Sequence, residues 1–150
     1  MKLYVDSSVL LRILLGERGA LPEWDRGVTW VASELIRLEC LRTIDRARVQ
    51  LGVSDEDVAT RREALREHLR RFDLVQLDAA VLERASEPFP TALGSLDAIH
   101  LASAIAARRS IPDLVVATHD RELGTAARAM GFEVLGADAL SKRSRTRGPR

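Results

Sequence analysis

What this sequence has little of narrows its class first. It holds one cysteine, Cys40, so no intrachain disulfide can form and a cysteine-rich zinc site is excluded. A single thiol fits a reducing compartment. No long apolar run is present. Val9 to Leu15 is apolar but interrupted by Arg12, far short of the roughly 20 residues that cross a bilayer. The opening Met1-Lys2-Leu3-Tyr4-Val5-Asp6 reaches a carboxylate too early for the hydrophobic region of a secretory leader. These absences point to a cytoplasmic protein without membrane attachment. No His-x-x-x-His pair suggests zinc either.

What is there describes an ordinary folded domain. The chain has 150 residues, 46% hydrophobic and 30% charged, which excludes a wholly disordered chain. Its length matches one domain. The net charge of +1 conceals an asymmetry. Lys142, Arg143, Arg145, Arg147 and Arg150 crowd the C-terminal end with no acid among them. Setting these five aside leaves 18 bases against 22 acids, a net of −4 for residues 1–141. The body is mildly acidic and the end is a basic tail, either a solvated, flexible terminus or an electrostatic arm for phosphate backbones.

Strand and helix signals alternate along the chain. Lys2 to Val5, Val28 to Ala32, Leu74 to Leu77, Leu114 to Thr118 and Phe132 to Leu135 read as short strands. Between them, helix starts are marked by Asp6-Ser7-Ser8, Ser33, Ser54, Asp78, Ser95 and Asp120. Helix ends are marked by Gly16, Gly52, Pro88, Pro112 and Gly131. Residues 16–27 form a loop anchored by Leu21 and Trp24. Such alternation predicts an α/β fold, a five-stranded parallel sheet flanked by helices on both faces. The domain is expected over residues 1–137, with 138–150 as the basic tail.

Ligands of open α/β sheets bind beyond the carboxyl ends of the strands, which singles out acids placed there. Asp6 ends the first strand and Asp120 follows the fourth; each is equally explained as a helix cap. Asp97 lies in the small, apolar stripe of Leu96-Asp97-Ala98-Ile99-His100-Leu101-Ala102. A buried carboxylate there needs a partner or a metal, although the first helical turn also favours an anion. Glu39 sits mid-helix between the directions of Leu35 and Ile36, and an ion pair with Arg42 or Arg46 is its plain alternative. Like charges gathered in one site require a cation. Oxygen ligands without imidazole or thiolate suit Mg²⁺ and phosphoryl chemistry.

These residues carry a resemblance. Tyr4-Val5-Asp6-Ser7-Ser8, Ser33-Glu34-Leu35-Ile36-Arg37-Leu38-Glu39-Cys40-Leu41-Arg42, Ser95-Leu96-Asp97-Ala98-Ile99-His100-Leu101-Ala102 and Thr118-His119-Asp120-Arg121-Glu122-Leu123 stand in order over about residues 2–136. They resemble the four motifs of the PIN-domain ribonucleases, specifically the VapC-type toxins of toxin–antitoxin pairs. The resemblance implies that Asp6, Glu39, Asp97 and Asp120 form the catalytic site. Asp6 and Asp97 would be the direct Mg²⁺ ligands, with Mn²⁺ as a substitute. Ser7 and Thr118 would hydrogen-bond the carboxylates. The reaction implied is hydrolysis of RNA by metal-activated water, leaving a 5′-phosphate and a 3′-hydroxyl. The partners implied are the RNA, a cognate antitoxin protein and a second copy of the chain. The antitoxin is expected on the helices from Ser33 to Phe72, with Leu41, Ile44 and Leu69 as anchors or, alternatively, as plain core. Strands one and four would lie side by side.

The remaining candidates have plainer readings. Arg12, the arginines of residues 61–71 and the tail could guide RNA. His100 reads as a residue packed or bonded beside Asp97, His119 as a loop residue, and His68 as surface. Cys40 reads as a small buried hydrophobe. Trp24 and Trp30 lie too far along the chain from a basic cluster to claim base stacking. A phosphatase of the haloacid dehalogenase type would need an aspartate where Ser8 stands. A receiver domain would need a lysine near the domain's end, and the only lysines are Lys2 and Lys142. A nuclease of the related 5′-nuclease group would normally be longer. A catalytically silent PIN-like module that binds RNA or a partner would be marked by loss of an acid, and all four are present.

Overall fold

A computed structural model describes residues 1–137 of the chain; the basic tail expected over 138–150 lies outside the described residues. The elements are β1 (Lys2–Val5), α1 (Ser7–Leu14), a 3₁₀ turn (Pro22–Asp25), β2 (Thr29–Ser33), α2 (Leu35–Leu51), α3 (Asp55–Leu69), β3 (Phe72–Val75), α4 (Ala79–Ser86), α5 (Ser95–Arg108), β4 (Val115–Ala117), α6 (Arg121–Ala129) and β5 (Val134–Leu135). The strands form one sheet in the order β3-β2-β1-β4-β5, and every neighbouring pair is parallel.

Side chains on a strand alternate between faces, and each face has its own core. Leu3, Val5, Trp30, Ala32, Val115 and Ala117 pack under residues of α1, α2 and α3. Tyr4, Val31 and Val116 pack under α5 and α6. A sheet buried on both faces explains why the strands are almost continuously apolar. The expected fold class is therefore the one found.

Side-chain caps start three of the six described α-helices, α3, α4 and α6. The Ser54 hydroxyl accepts from the Asp57 N–H at 3.1 Å and starts α3, and Asp78 does the same for α4 through Val81 at 2.9 Å. Gly52 ends α2 in the left-handed region at φ 62°, where a Cβ would be strained. Ser33 is the last residue of β2 rather than the cap of α2, whose first flanking residue is Glu34. Its hydroxyl still accepts the N–H of Leu35 at 3.2 Å.

One strand boundary needs correction, and the plain-core alternative holds for Leu41, Ile44 and Leu69. The third strand runs over Phe72–Val75, two residues ahead of the expected Leu74 to Leu77. Phe72 pairs with Trp30 in the sheet, and burying that ring against the tryptophans outweighs extending α3. Ile44 is core, 1% exposed, and Leu41 and Leu69 pack partly buried against the same cluster. They are not free anchors. The apolar side chains that α2 does expose are Leu38, Val49 and Leu51, at 57%, 78% and 78%.

Candidate active site

The chain builds β1 at the centre, adds β2 and β3 on one side, then crosses to β4 on the other. The reversal of strand order lies between β1 and β4, where a crevice opens at the carboxyl ends. Asp6 directly follows β1, and Thr118-His119-Asp120 directly follows β4.

Asp6 is 4% exposed and makes no side-chain cap to α1. Instead the Ser8 hydroxyl donates to its Oδ1 at 2.6 Å and the Thr118 hydroxyl donates to its Oδ2 at 2.8 Å. The hydroxyl expected from Ser7 thus comes from Ser8. Ser7 faces the other way, into a groove beside Glu39. Burial pushes the Asp6 carboxyl above its usual range, partly offset by His100 and by the two hydroxyls. Thr118 does more than hold Asp6. Its Oγ1 accepts the Asp120 N–H at 2.9 Å, while Ser8 Oγ accepts the His119 N–H at 2.9 Å. The loop after β4 is pinned to the start of α1.

Asp120 caps α6, accepting the Leu123 N–H on Oδ1 at 2.9 Å. Asp97 is half-buried in the first turn of α5. Burial, then the charges of Asp120 and Asp6, push its carboxyl up to about 6, with Glu39 adding to the same effect and His100 opposing it. The four acids named from the sequence therefore share one field.

Among the described residues Glu39 pairs with neither Arg42 nor Arg46, the plain alternative for it: Arg42 pairs with Asp45 at 3.1 Å. Glu39 reaches across to α5 and hydrogen-bonds His100 Nε2 through Oε1. His100 is 1% exposed, and its Nδ1 lies 3.1 Å from the Tyr4 hydroxyl. Burial alone would lower its pKa, but the hydrogen bond to Glu39 and the charges of Asp6, Glu39 and Asp97 raise it. The Tyr4–His100–Glu39 chain was missed in the sequence. Its signals were a tyrosine on the α5-facing side of β1 and a histidine in the apolar stripe of α5.

Other candidates fall elsewhere. Arg12 donates to the Arg18 carbonyl at 3.3 Å and lies 3.9 Å from Glu17, so it braces the loop after α1. Arg42 and Arg46, not singled out as an RNA path, line the groove of about 310 Å³ beside Glu39. His119 is a loop residue as expected, but buried. Cys40 is fully buried, and burial followed by the charges of Glu39 and Asp6 pushes its thiol up to about 12.

A PIN-domain family model matches residues 3–129. This chain belongs to the PIN-domain family. Within it, the PIN domain is 34% identical over 138 residues to Ribonuclease VapC35 of Mycobacterium tuberculosis, covering 89% of this chain and 95% of that protein. It is 32% identical over 132 residues to Ribonuclease VapC47 of the same species, covering 87% and 93%. The solved structure of VapBC2 from Rickettsia felis bound to a DNA fragment from their promoter shares the fold, with a TM-score of 0.62 at 12% identity over 89% of this chain and 97% of that one. These matches make it a PIN domain of the VapC type. No helix among the described residues is long and apolar enough to cross a membrane.

Proposed function

We propose that this PIN domain is a metal-dependent endoribonuclease, the toxin of a toxin–antitoxin pair acting in the cytoplasm. The reading is carried by one observation: Thr118 ties Asp6 to the Asp120 backbone at the carboxyl ends of β1 and β4, within reach of Asp97 in the first turn of α5, whose carboxyl their charges help push up. Family membership and relatives named as ribonucleases support it.

A divalent cation fits this chemistry. The charges of Asp120, Asp6 and Glu39 help push the Asp97 carboxyl up, a repulsion that a cation relieves. Among the described residues no three histidine, cysteine or acidic side chains form a ready-made metal cage. Mg²⁺ needs none, since it takes one or two carboxylates and completes its shell with water and phosphate oxygens. Asp6 and Asp97 would hold it, with Mn²⁺ as an alternative. When bound, it would polarise the scissile phosphate and make water acidic enough to attack.

The chain's own residues supply the rest. Ser8 and Thr118 each take one oxygen of Asp6, so the carboxylate cannot rotate. Glu39, tethered by His100, and Asp120, fixed by its cap, orient or deprotonate the attacking water. The new bond joins that water's oxygen to phosphorus. The bond from phosphorus to O3′ breaks, and O3′ takes up a proton, leaving a 5′-phosphate and a 3′-hydroxyl. An antitoxin would hold the enzyme inactive, consistent with the fold neighbour being a VapBC complex. The exposed Leu38, Val49 and Leu51 on α2 would give it apolar contacts. A homodimer is the expected assembly.

The test is cleavage of total cellular RNA by antitoxin-free protein and by Asp97→Asn, each with Mg²⁺ and with chelator, followed by end-mapping. Discrete cuts bearing 5′-phosphates, lost without metal or without Asp97, are expected. Folded protein that binds RNA and never cuts it would replace the enzyme with a silent binding module.

A further inference from the structure

Folding gathers aromatic side chains that the sequence keeps apart. Trp24 comes from the 3₁₀ turn, Trp30 from β2, Phe72 from β3 and His68 from the last turn of α3. The ring centroids of Trp24 and Trp30 lie 4.5 Å apart. His68 meets Trp24 edge-on at 5.2 Å, and Phe72 stacks on Trp30 at 6.2 Å. His68 is thus half-buried against a tryptophan rather than a plain surface residue.

These rings, with Gly27, Val28 and the exposed Arg71, line a cavity of about 400 Å³. That volume lies in the range of small-ligand sites, roughly 300–1,000 Å³. No acid lines it. Arg71 and its neighbour Arg70 are exposed, and neither has an ion-pair partner among the described residues. The cavity is separate from the acidic site. Trp30 and Phe72 stand at the amino ends of β2 and β3, whereas Asp6 and Asp120 follow the carboxyl ends of β1 and β4 in the same parallel sheet. Trp30 pairs with Leu3, three residues before Asp6, or roughly 10 Å along the strand.

Trp30 and Phe72 are buried at 7% and 8% exposure, so the ring surface left open to a ligand is that of the half-buried Trp24 and His68. An open ring beside guanidinium groups with no ion-pair partner among the described residues matches the two parts of a nucleotide. Single strands are held by stacking bases on aromatic rings while arginine takes the phosphate. We propose that the cavity lined by Trp24, Trp30, Phe72, His68 and Arg71 binds one base of a single-stranded RNA and its phosphate. The inference rests on the ribonuclease reading and adds an anchoring site remote from the scissile bond. A base held there contributes affinity and choice of substrate, not chemistry.

The chain's two tryptophans both belong to this cluster, so its tryptophan fluorescence reports on the cavity directly. The experiment titrates a ten-nucleotide single-stranded RNA, labelled for anisotropy, into the full chain in chelator, reading binding and tryptophan emission together. Saturable quenching is expected, with affinity about tenfold weaker in Arg71→Ala. Arg71 is exposed and has no ion-pair partner among the described residues, so that variant should fold; Trp24→Phe, which keeps a ring, should retain binding. Failure to bind, binding that leaves emission unmoved, or an Arg71→Ala titration that overlays the native one overturns the proposal. A cavity shaped for a partner protein's side chain would give that negative result. The same RNA is then offered with Mg²⁺. Cleavage without quenching discards this site and keeps the nuclease, whereas quenching without cleavage does the reverse.

Discussion

The hydroxyl of Thr118 donates to Oδ2 of Asp6 at 2.8 Å, joining residues 112 positions apart. The bond exists because β1 and β4 are parallel neighbours with Val5 opposite Ala117. The same hydroxyl accepts the Asp120 N–H, so one side chain fixes the first and last acids of the site relative to each other.

That link makes Gly136 consequential. It has φ +89°, and a Cβ there would lie 2.6 Å from the Thr118 carbonyl oxygen. Neither backbone strain nor the contact can be relieved without moving Thr118. Gly136→Ala is expected to destabilise by about 2 kcal/mol and to reduce cleavage even in the folded fraction. Thermal melts alongside turnover corrected for folded protein would check this; native-like turnover would contradict it.

Asp120 caps α6, and substitution can separate that role from the catalytic one proposed for it. Asparagine caps a helix nearly as well as aspartate, whereas alanine costs about 1 kcal/mol. Asp120→Asn should therefore melt like the native protein and cleave RNA about 100-fold more slowly. Asp120→Ala should lose both. Unchanged cleavage in Asp120→Asn would reduce the residue to a cap.

Asp97 predicts a pH signature. Its folded pKa of about 6 exceeds the ordinary 3.8. Between about pH 4 and 6 the unfolded chain releases this proton while the folded chain keeps it. The stability contribution is therefore fully present below the lower value and lost as pH rises through the upper. Asp97→Asn should abolish this slope. In metal-free protein the variant should match the native melt near pH 4. At pH 7 it should exceed it by about 1 kcal/mol after allowance for solvent screening, or roughly 2–4 °C. Equal melts at both pH values would refute the raised pKa.

The three histidines separate by environment. His100 is raised by Glu39 and the neighbouring acids against the effect of burial. His68 and His119 are lowered by burial and by Arg71 and Arg12 respectively. An NMR titration should show one histidine above 6.5 and two below. Glu39→Gln should bring the high one down and leave the others in place. If the high one stays, the Glu39–His100 bond is not what sustains it.

Local chemistry made much of the fold legible. Ser54 and Asp78 announce helix starts because a short side-chain oxygen satisfies an exposed N–H, and Gly52 announces a stop because it tolerates the left-handed backbone. Apolar runs between such signals imply strands buried on both sides. The acids Asp6, Glu39, Asp97 and Asp120 stand out at strand ends or in helical stripes, but each also reads as a cap, a first-turn anion or an ion-pair member, and only the family resemblance names them as one set. Tertiary structure decided whatever depends on which distant side chains meet. It put Ser8 rather than Ser7 on Asp6, tied Glu39 to His100 rather than to Arg42, and started β3 at Phe72. It also closed Trp24, Trp30 and His68 around a cavity. The partners of His100 lie 61 and 96 residues away in the chain. No local propensity encodes such pairings; they follow from the strand order, which is settled only when both faces of the sheet are buried at once.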